Sequence, residues 1–111
     1  MMNDAEFQQQ VADTLLRIEQ AVEASGVDIE FENAGDILTL EFENGSKIII
    51  NKQGAAKQIW VAAKAGGFHY NYDAAQNRWL NDQTGAELMQ ELSRLVSTQA
   101  GSPVSLHGRH E

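Results

Sequence analysis

The stretch that decides the fold is residues 37–51, ILTLEFENGSKIIIN. In its first half, apolar residues alternate with polar ones, as in a strand with one buried side. Asn44 and Gly45 follow, a dipeptide that supplies the two positive φ angles of a tight hairpin turn. A third strand is then predicted from Lys47 to Asn51, around three consecutive isoleucines. The stretch therefore predicts two antiparallel strands joined by a tight turn.

Similar segments lie on both sides of this hairpin. Upstream, residues 27–32 alternate strictly between apolar and acidic side chains, and a turn at 33–35 separates them from the hairpin. Downstream, residues 58–62 and 68–72 read as two further strands, and a short one covers 78–80. Because the connections between these strands are short, we expect one antiparallel sheet of five to six strands.

A helix is predicted at each end of the strand segments. Apolar residues spaced three and four apart run from 4 to 24, with Asn3 as the N-cap and Glu6 placed to complete a capping box. Thr84 and Glu87 form a second capping-box pattern ahead of a closing helix with one apolar face. Packing both apolar stripes on one side of the sheet gives an α+β fold, a two-layer α/β sandwich of order α-β-β-β-β-β-(β)-α.

The size and composition of the chain narrow its class. We expect the 111 residues to form a single domain, 1–111, with a loosely structured tail at 102–111. The absence of cysteine excludes disulfides and thiolate metal sites. A net charge of −8 argues against nucleic acid and anionic membranes as partners. No apolar run approaches the ~20 residues of a membrane span, and no leader pattern is present, so we expect a cytoplasmic protein.

The charge is distributed unevenly along the chain. Residues 1–45 contain eleven acids and one base, Arg17, whereas residues 46–111 carry a net charge of +2. Such asymmetry indicates binding of cations or of a basic partner, although a merely solvated acidic face is the alternative.

Two groups of acids have spacings that let them share cations. Asp28, Glu30 and Glu32 lie on one face of the first strand, and Glu19 and Glu23 lie on adjacent turns of the first helix. Like charges at this spacing are mildly unfavourable without a counterion, and carboxylate oxygens suit hard cations. We therefore expect weak binding at several places. The alternative is that these acids keep an edge strand soluble and unpaired.

A tryptophan is predicted on the outer face of the sheet. Strand alternation points Gln58 and Trp60 outward, beside Asn51 if the third and fourth strands are paired. Exposed aromatic residues are typical anchors of protein interfaces, although neighbouring side chains can also cover such a tryptophan. His69 shares this face and is a weak candidate ligand, more simply a solvated strand residue.

The chain resembles bacterial frataxins, the CyaY type. The resemblance lies in the runs FENGSKIIINKQ (42–53), QIWVA (58–62) and GGFHY (66–70), and in Trp79, Asp82 and Gly85. It implies two helices on one antiparallel sheet, an acidic ridge on the first helix and strand that binds iron, and docking on the cysteine desulfurase of the iron–sulfur machinery.

The resemblance, combined with the acidic pattern, yields a candidate site. The expected ligands of Fe²⁺ or Fe³⁺ are Asp4, Asp13, Glu19, Glu23, Asp28, Glu30 and Glu32. The same ridge would dock on the desulfurase, while Asn51, Gln58 and Trp60 would meet another component such as the scaffold protein. We expect no enzymatic activity, and a monomer without metal that iron can drive into oligomers.

Two other functions stay open at this point. One is a ferroxidase that stores oxidised iron in oligomers, although the sequence offers no Glu-x-x-His pair on facing helices. The other is an acidic adaptor that works without metal. His107 and His110 have a spacing that can bind metal on a helix, but they follow a proline in the tail and receive little weight. The physiological metal, and whether the desulfurase is activated or inhibited, also stay open.

Overall fold

The structure, a computed structural model, describes residues 2–106 and contains two helices and six strands. The elements in chain order are α1 (Asp4–Ser25), β1 (Ile29–Asn33), β2 (Ile37–Phe42), β3 (Lys47–Gln53), β4 (Gln58–Ala63), β5 (Gly66–Asp73), β6 (Arg78–Asn81) and α2 (Leu88–Ala100). Each strand pairs antiparallel with the next, so β1 and β6 form the sheet edges. Within residues 2–106, neither helix has the length and apolar character that crossing a membrane requires.

One hydrophobic core lies between the helices and the sheet. Alternate residues of the central strands, the stripes of both helices and Trp79 all belong to it. The buried side chains of strands β2 to β5 are Leu38, Leu40, Phe42, Ile48, Ile50, Ile59, Val61 and Tyr70. No helix or strand of residues 2–106 covers the other face of the sheet, and the two-layer arrangement confirms the predicted α+β sandwich.

Helix α1 is capped as predicted. The Asn3 side chain accepts a hydrogen bond from the backbone N–H of Glu6 at 2.8 Å, and the Glu6 carboxylate accepts one from the backbone N–H of Asn3 at 3.0 Å. Gly26 ends the helix with a φ of 75°, a left-handed conformation that glycine adopts without strain. The capping box therefore fixes where the predicted apolar stripe begins.

The turn between β2 and β3 differs from the predicted one. Gly45 has a φ of 87°, but Asn44 does not have a positive φ, so the expectation of two positive angles is wrong. The Gly45 N–H donates to the Phe42 carbonyl, and the Phe42 N–H donates to the Ser46 carbonyl, both at 2.9 Å. Asn44 instead bonds through its side chain to Ser46 and to the Gln99 carbonyl, which favours this wider turn with one left-handed residue.

Helix α2 begins later than the capping-box pattern predicts. The Glu87 carboxylate accepts hydrogen bonds from the backbone N–H groups of Met89 and Gln90, at 2.9 and 3.1 Å, so Glu87 is itself the N-cap. Its backbone is extended, with φ −83° and ψ 139°. A capping box that starts at Thr84 would place Glu87 at the third helical position, with a helical backbone. Glu87 lies outside the helix instead, so the predicted box is wrong.

The segment that follows α2 packs against that helix. Val104 and Leu106 are buried, and their backbone N–H groups donate to the hydroxyls of Ser97 and Ser93, each at 2.8 Å. Residues 102–106 form no helix or strand, yet they differ from the loosely structured tail expected, because alternate apolar side chains dock them. The last five residues of the expected tail lie outside the described part of the chain.

Candidate functional site

Acidic side chains surround the exposed edge of the sheet at β1. We call this surface the acidic edge, and its members are Glu19, Glu23, Asp28, Glu30 and Glu32. Glu23, Asp28, Glu30 and Glu32 are exposed. Glu19 is half-buried. Because β1 has a neighbouring strand on one side alone, these carboxylates border open solvent.

A hydrogen bond connects the helical part of the acidic edge to its strand part. Asn33, the last residue of β1, donates from Nδ2 to Glu19 Oε2 at 2.6 Å. Glu23 lies one helical turn beyond Glu19, and the alternation of β1 places Glu30 and Glu32 on one side of the strand. The structure therefore brings these acids onto adjoining surfaces.

The acidic edge is not neutralised by the cations of the described chain. Among residues 2–106, no Lys, Arg or His forms an ion pair with any of its five members. In the strand register Glu30 lies directly opposite Glu41, which in turn lies opposite Lys47. Glu41 was absent from the predicted set, although the hairpin pattern could have placed it beside β1. Its charge adds to the repulsion at Glu30.

Two predicted ligands lie away from the acidic edge. Asp4 is about 22 Å along α1 from Glu19 and forms an ion pair with Lys57 at 2.8 Å. The hydrogen bond and the charge of Lys57 lower the pKa of Asp4 below its usual value. Asp13 lies about 120° around α1 from Glu19 and accepts a hydrogen bond from Gln9 at 2.9 Å. The structure therefore does not bring the seven predicted ligands into one cluster.

The chemistry open to the acidic edge follows from its exposure. Within residues 2–106, no group of three or more His, Asp and Glu side chains is gathered closely enough to hold a metal ion. A cation there would contact one or two carboxylates at a time and keep most of its water. Such a surface suits hard cations bound weakly and exchanged rapidly.

The outer face of the sheet carries the second candidate surface. We call it the tryptophan face and define it by Asn51, Gln58, Trp60 and His69. The register places Asn51, Trp60 and His69 side by side on β3, β4 and β5. The Trp60 ring stacks on the His69 ring, with centroids 4.3 Å apart and planes 17° apart. Trp60 is half-buried by this stacking.

A hydrogen-bonded chain fixes the side chains of the tryptophan face. Trp60 Nε1 donates to Gln58 Oε1 at 2.7 Å, which sets the orientation of the Gln58 amide. The Gln58 Nε2 then donates to Asn71 Oδ1 at 3.1 Å and to Asp82 Oδ2 at 3.3 Å. His69 Nδ1 lies 3.8 Å from the same Asp82 oxygen. The predicted residues thus belong to a larger polar network than the sequence indicated.

Apolar side chains border this network. Ile49 and Ile37 are 36% and 41% exposed, and both project from the face opposite the core. Ile49 lies beside Ala62 in the strand register, next to Trp60 along β4. A tryptophan with polar amides on one side and exposed aliphatic residues on the other has the composition of a protein interface.

A polar network on the covered side of the sheet has a structural role. The buried Tyr70 hydroxyl donates to the Glu91 carboxylate on α2, and Asn81 donates to the same oxygen at 3.1 Å. Burial, and then the hydrogen bond and charge of Glu91, raise the pKa of Tyr70. These bonds attach α2 to β5 and β6, so this group is satisfied within the fold.

Comparison with known proteins gives the family. The frataxin-like domain matches residues 1–102. The chain belongs to the frataxin family. The iron–sulfur cluster assembly protein CyaY of Dechloromonas aromatica is 47% identical over 106 residues, which cover 95% of this chain and 99% of that protein. The protein of the same name from Cupriavidus taiwanensis is 46% identical, with 96% and 97% covered.

Solved structures agree with this membership. A frataxin from Psychromonas ingrahamii, of the CyaY protein family, superposes with a TM-score of 0.88 at 38% identity, covering 96% of this chain and 99% of that one. Yeast frataxin, at 23% identity and a TM-score of 0.62, shares the fold. The resemblance inferred from the sequence is confirmed. His107 and His110 lie outside the described residues.

Proposed function

We propose that this frataxin takes part in iron–sulfur cluster assembly by binding Fe²⁺ or Fe³⁺ weakly and by docking on proteins of that machinery. Its family and the names of its relatives support the general role. The acidic edge and the tryptophan face are separate surfaces of unlike chemistry, so they can serve different ligands at the same time.

The observation that carries the proposal is the uncompensated charge of the acidic edge. Its five carboxylates have no cation partner among residues 2–106, and Glu30 also lies against Glu41. Bringing a divalent or trivalent cation to such a surface relieves repulsion that the fold otherwise tolerates. Oxygen ligands in an exposed setting fit iron that is to be passed on rather than retained.

Docking follows from the same charge and from the tryptophan face. The acidic edge is complementary to a basic surface, which we propose the cysteine desulfurase supplies. Trp60, held by Gln58 and His69 and bordered by Ile49, is proposed to contact the scaffold protein. Iron and the desulfurase would then compete for the acidic edge, whereas the scaffold would not.

We propose binding rather than catalysis as the activity, with a monomer in the absence of metal and iron-dependent oligomers in its presence. At the acidic edge, each iron ion would contact only one or two exposed carboxylates. Such contacts do not hold two iron ions in the fixed geometry that oxidation requires. Oxygen uptake after Fe²⁺ addition should equal that of a buffer blank. Uptake above the blank that depends on the acidic edge would favour a ferroxidase instead.

The decisive experiment is an anaerobic Fe²⁺ titration followed by the backbone amide signals of the protein. We expect the signals of residues 19–32 to broaden first, because the ion is paramagnetic and its binding is local. The double variant Glu30→Gln with Glu32→Gln should weaken Fe²⁺ binding by at least about fivefold for each charge removed, since two unit charges 4 Å apart in water attract each other by about 1 kcal/mol and the ion carries two.

Asp4→Asn is the matched control for this titration. Asp4 belongs to α1, the helix that carries Glu19 and Glu23, but it is already paired with Lys57. Its removal should therefore leave the titration of the acidic edge nearly unchanged. Because the control removes one charge and the double variant two, a free-energy loss in the control that is half that of the double variant would mean that iron responds to net charge alone. Unmoved amides in residues 13–32 would refute iron binding at this surface and leave a metal-independent adaptor.

A further inference from the structure

The tryptophan face contains a histidine whose side chain lies close to a carboxylate. His69 Nδ1 lies 3.8 Å from Asp82 Oδ2, and the two side chains are 44% and 28% exposed. His69 comes from β5, and Asp82 lies just after β6. Imidazole nitrogen with carboxylate oxygen is a donor pair that borderline divalent transition metals accept. None of the acids in the acidic edge has a histidine partner among the described residues.

Both side chains are held in place before any ligand arrives. The His69 ring lies flat against Trp60, which restricts its rotation. Asp82 Oδ2 accepts a hydrogen bond from Gln58, whose amide is oriented by Trp60 Nε1. The Asp82 backbone N–H also donates to the His69 carbonyl at 2.9 Å. Ligands supported by such outer bonds bind metal with less loss of conformational freedom.

The spacing of the two donor atoms is close to that of two ligands on one ion. With bonds of about 2.1 Å and an angle between 90° and 110°, donor atoms are roughly 3.0–3.4 Å apart. The observed 3.8 Å therefore needs a closure of about 0.4–0.8 Å. The exposure of both side chains leaves room for water on the remaining positions of the ion.

We propose that His69 and Asp82 form a two-ligand site for a borderline divalent transition ion such as Zn²⁺ or Co²⁺. This site goes beyond the proposed function, because it lies on the tryptophan face and differs in chemistry from the acidic edge. The acidic edge takes hard cations through oxygen alone. The histidine site prefers borderline ions, which bind nitrogen and oxygen together.

The test uses the full chain with His107→Gln and His110→Gln as the background, so that His69 is its single histidine. Zn²⁺ is titrated while the imidazole carbon-bound protons of His69 are followed by NMR. We expect these signals to move in a saturable way. La³⁺, a hard ion, should move the amides of residues 19–32 and leave the His69 signals in place. Zn²⁺ that moves the acidic edge alone would overturn the proposal.

Two variants assign the ligands. Asp82→Asn keeps an oxygen that can accept from Gln58 but removes the charge, and it should weaken Zn²⁺ binding at least tenfold. His69→Phe keeps a ring against Trp60, and calorimetry should then detect no Zn²⁺ binding at the tryptophan face. Asp36→Asn, an exposed acid paired with Lys52, is the control and should change nothing.

The result with Asp82→Asn decides the matter even if the phenylalanine variant folds poorly. Unchanged Zn²⁺ affinity in Asp82→Asn would show that His69 binds as a lone imidazole, and the two-ligand site would be refuted. Iron binding at the acidic edge is read separately from the amides of residues 19–32, so failure here leaves that proposal standing.

Discussion

The acidic edge and the tryptophan face show two ways in which one small fold presents a binding surface. The acids of the edge are exposed except for the half-buried Glu19, and among residues 2–106 their one side-chain hydrogen bond joins Glu19 to Asn33. On the tryptophan face, Trp60, Gln58 and His69 are fixed by stacking and by a chain of hydrogen bonds. One surface is thus rich in charge and poor in fixed geometry, and the other is the reverse.

This difference indicates what each surface can recognise. Exposed carboxylates attract ions and basic surfaces over a distance but discriminate poorly among them, and salt screens the attraction. A fixed aromatic residue with oriented amides contributes little attraction at a distance, yet it rewards a partner whose shape fits. Affinity that depends on the edge should therefore respond to ionic strength, and affinity that depends on Trp60 should respond to side-chain shape.

The largest effect is expected from removing the anchor of the tryptophan face. Trp60→Ala should weaken binding of the scaffold protein by about 2 kcal/mol or more, roughly 30-fold, because a buried aromatic anchor is lost. Calorimetry with the purified scaffold measures the change. Trp60→Phe keeps a ring against His69 but removes the donor to Gln58, so its loss should be nearer 1 kcal/mol.

Unfolding curves of both variants complete that comparison. Trp60 projects from the face opposite the core, so either change should leave the fold intact. Scaffold affinity that is the same in the wild type and in Trp60→Ala would remove this surface from the docking proposal.

A smaller effect is expected when charge is removed from the edge. Glu30→Gln with Glu32→Gln should weaken desulfurase binding about fivefold at low salt, and the deficit should disappear near 0.5 M salt because screening then dominates. The matched control, Gln90→Lys with Thr98→Lys, raises the net charge by the same two units on exposed positions of α2.

The control separates a local surface from the field of the whole molecule. If both double variants lose the same affinity, net charge rather than the acidic edge steers the desulfurase. The Trp60→Ala deficit should persist at high salt. A deficit that vanished there would contradict the distinction between the two surfaces.

The comparison also shows how much of each surface the sequence could predict. Alternation in β3, β4 and β5 assigns a face to every residue, so Asn51, Gln58, Trp60 and His69 could be placed together. Asp82 could not, because it lies beyond β6, where no period applies. Its position depends on how the 81–87 turn packs against β5.

The predicted acidic ligands show a second limit of prediction from sequence. Spacing groups Glu19 with Glu23 and Glu30 with Glu32, since each pair lies within one element, whereas Asp28 lies just before β1. It says nothing about Asp4, whose partner Lys57 is 53 residues away in sequence and reaches it only in the folded chain. Composition can therefore predict an acidic surface, whereas the fold decides which acids remain uncompensated.

A third prediction concerns the free energy of unfolding that the protein loses through charge repulsion at the acidic edge. Glu30→Gln should raise the free energy of unfolding of the metal-free protein by about 0.2–1 kcal/mol, because it removes a like charge directly opposite Glu41. Glu32→Gln is the control, since Glu32 lies opposite the uncharged Thr39 and the same substitution relieves no such pair. Urea unfolding measures both. Equal stability in the two variants would mean that the Glu30–Glu41 repulsion is fully screened by solvent.

The smallest effect is expected at Asp4, the predicted ligand that the fold pairs. Lys57 lowers the folded-state pKa of Asp4 from its usual 3.8, so the ion pair stabilises the protein above that pH. This stability is lost as the pH falls through the lowered folded-state pKa. Asp4→Asn should therefore be slightly less stable than the wild type at pH 7, and the gap should close in acid. In a Lys57→Gln background the gap at pH 7 should shrink, because Asp4 then keeps only its favourable place in the first turn of α1; a gap of unchanged size there would mean that the pair is not its source.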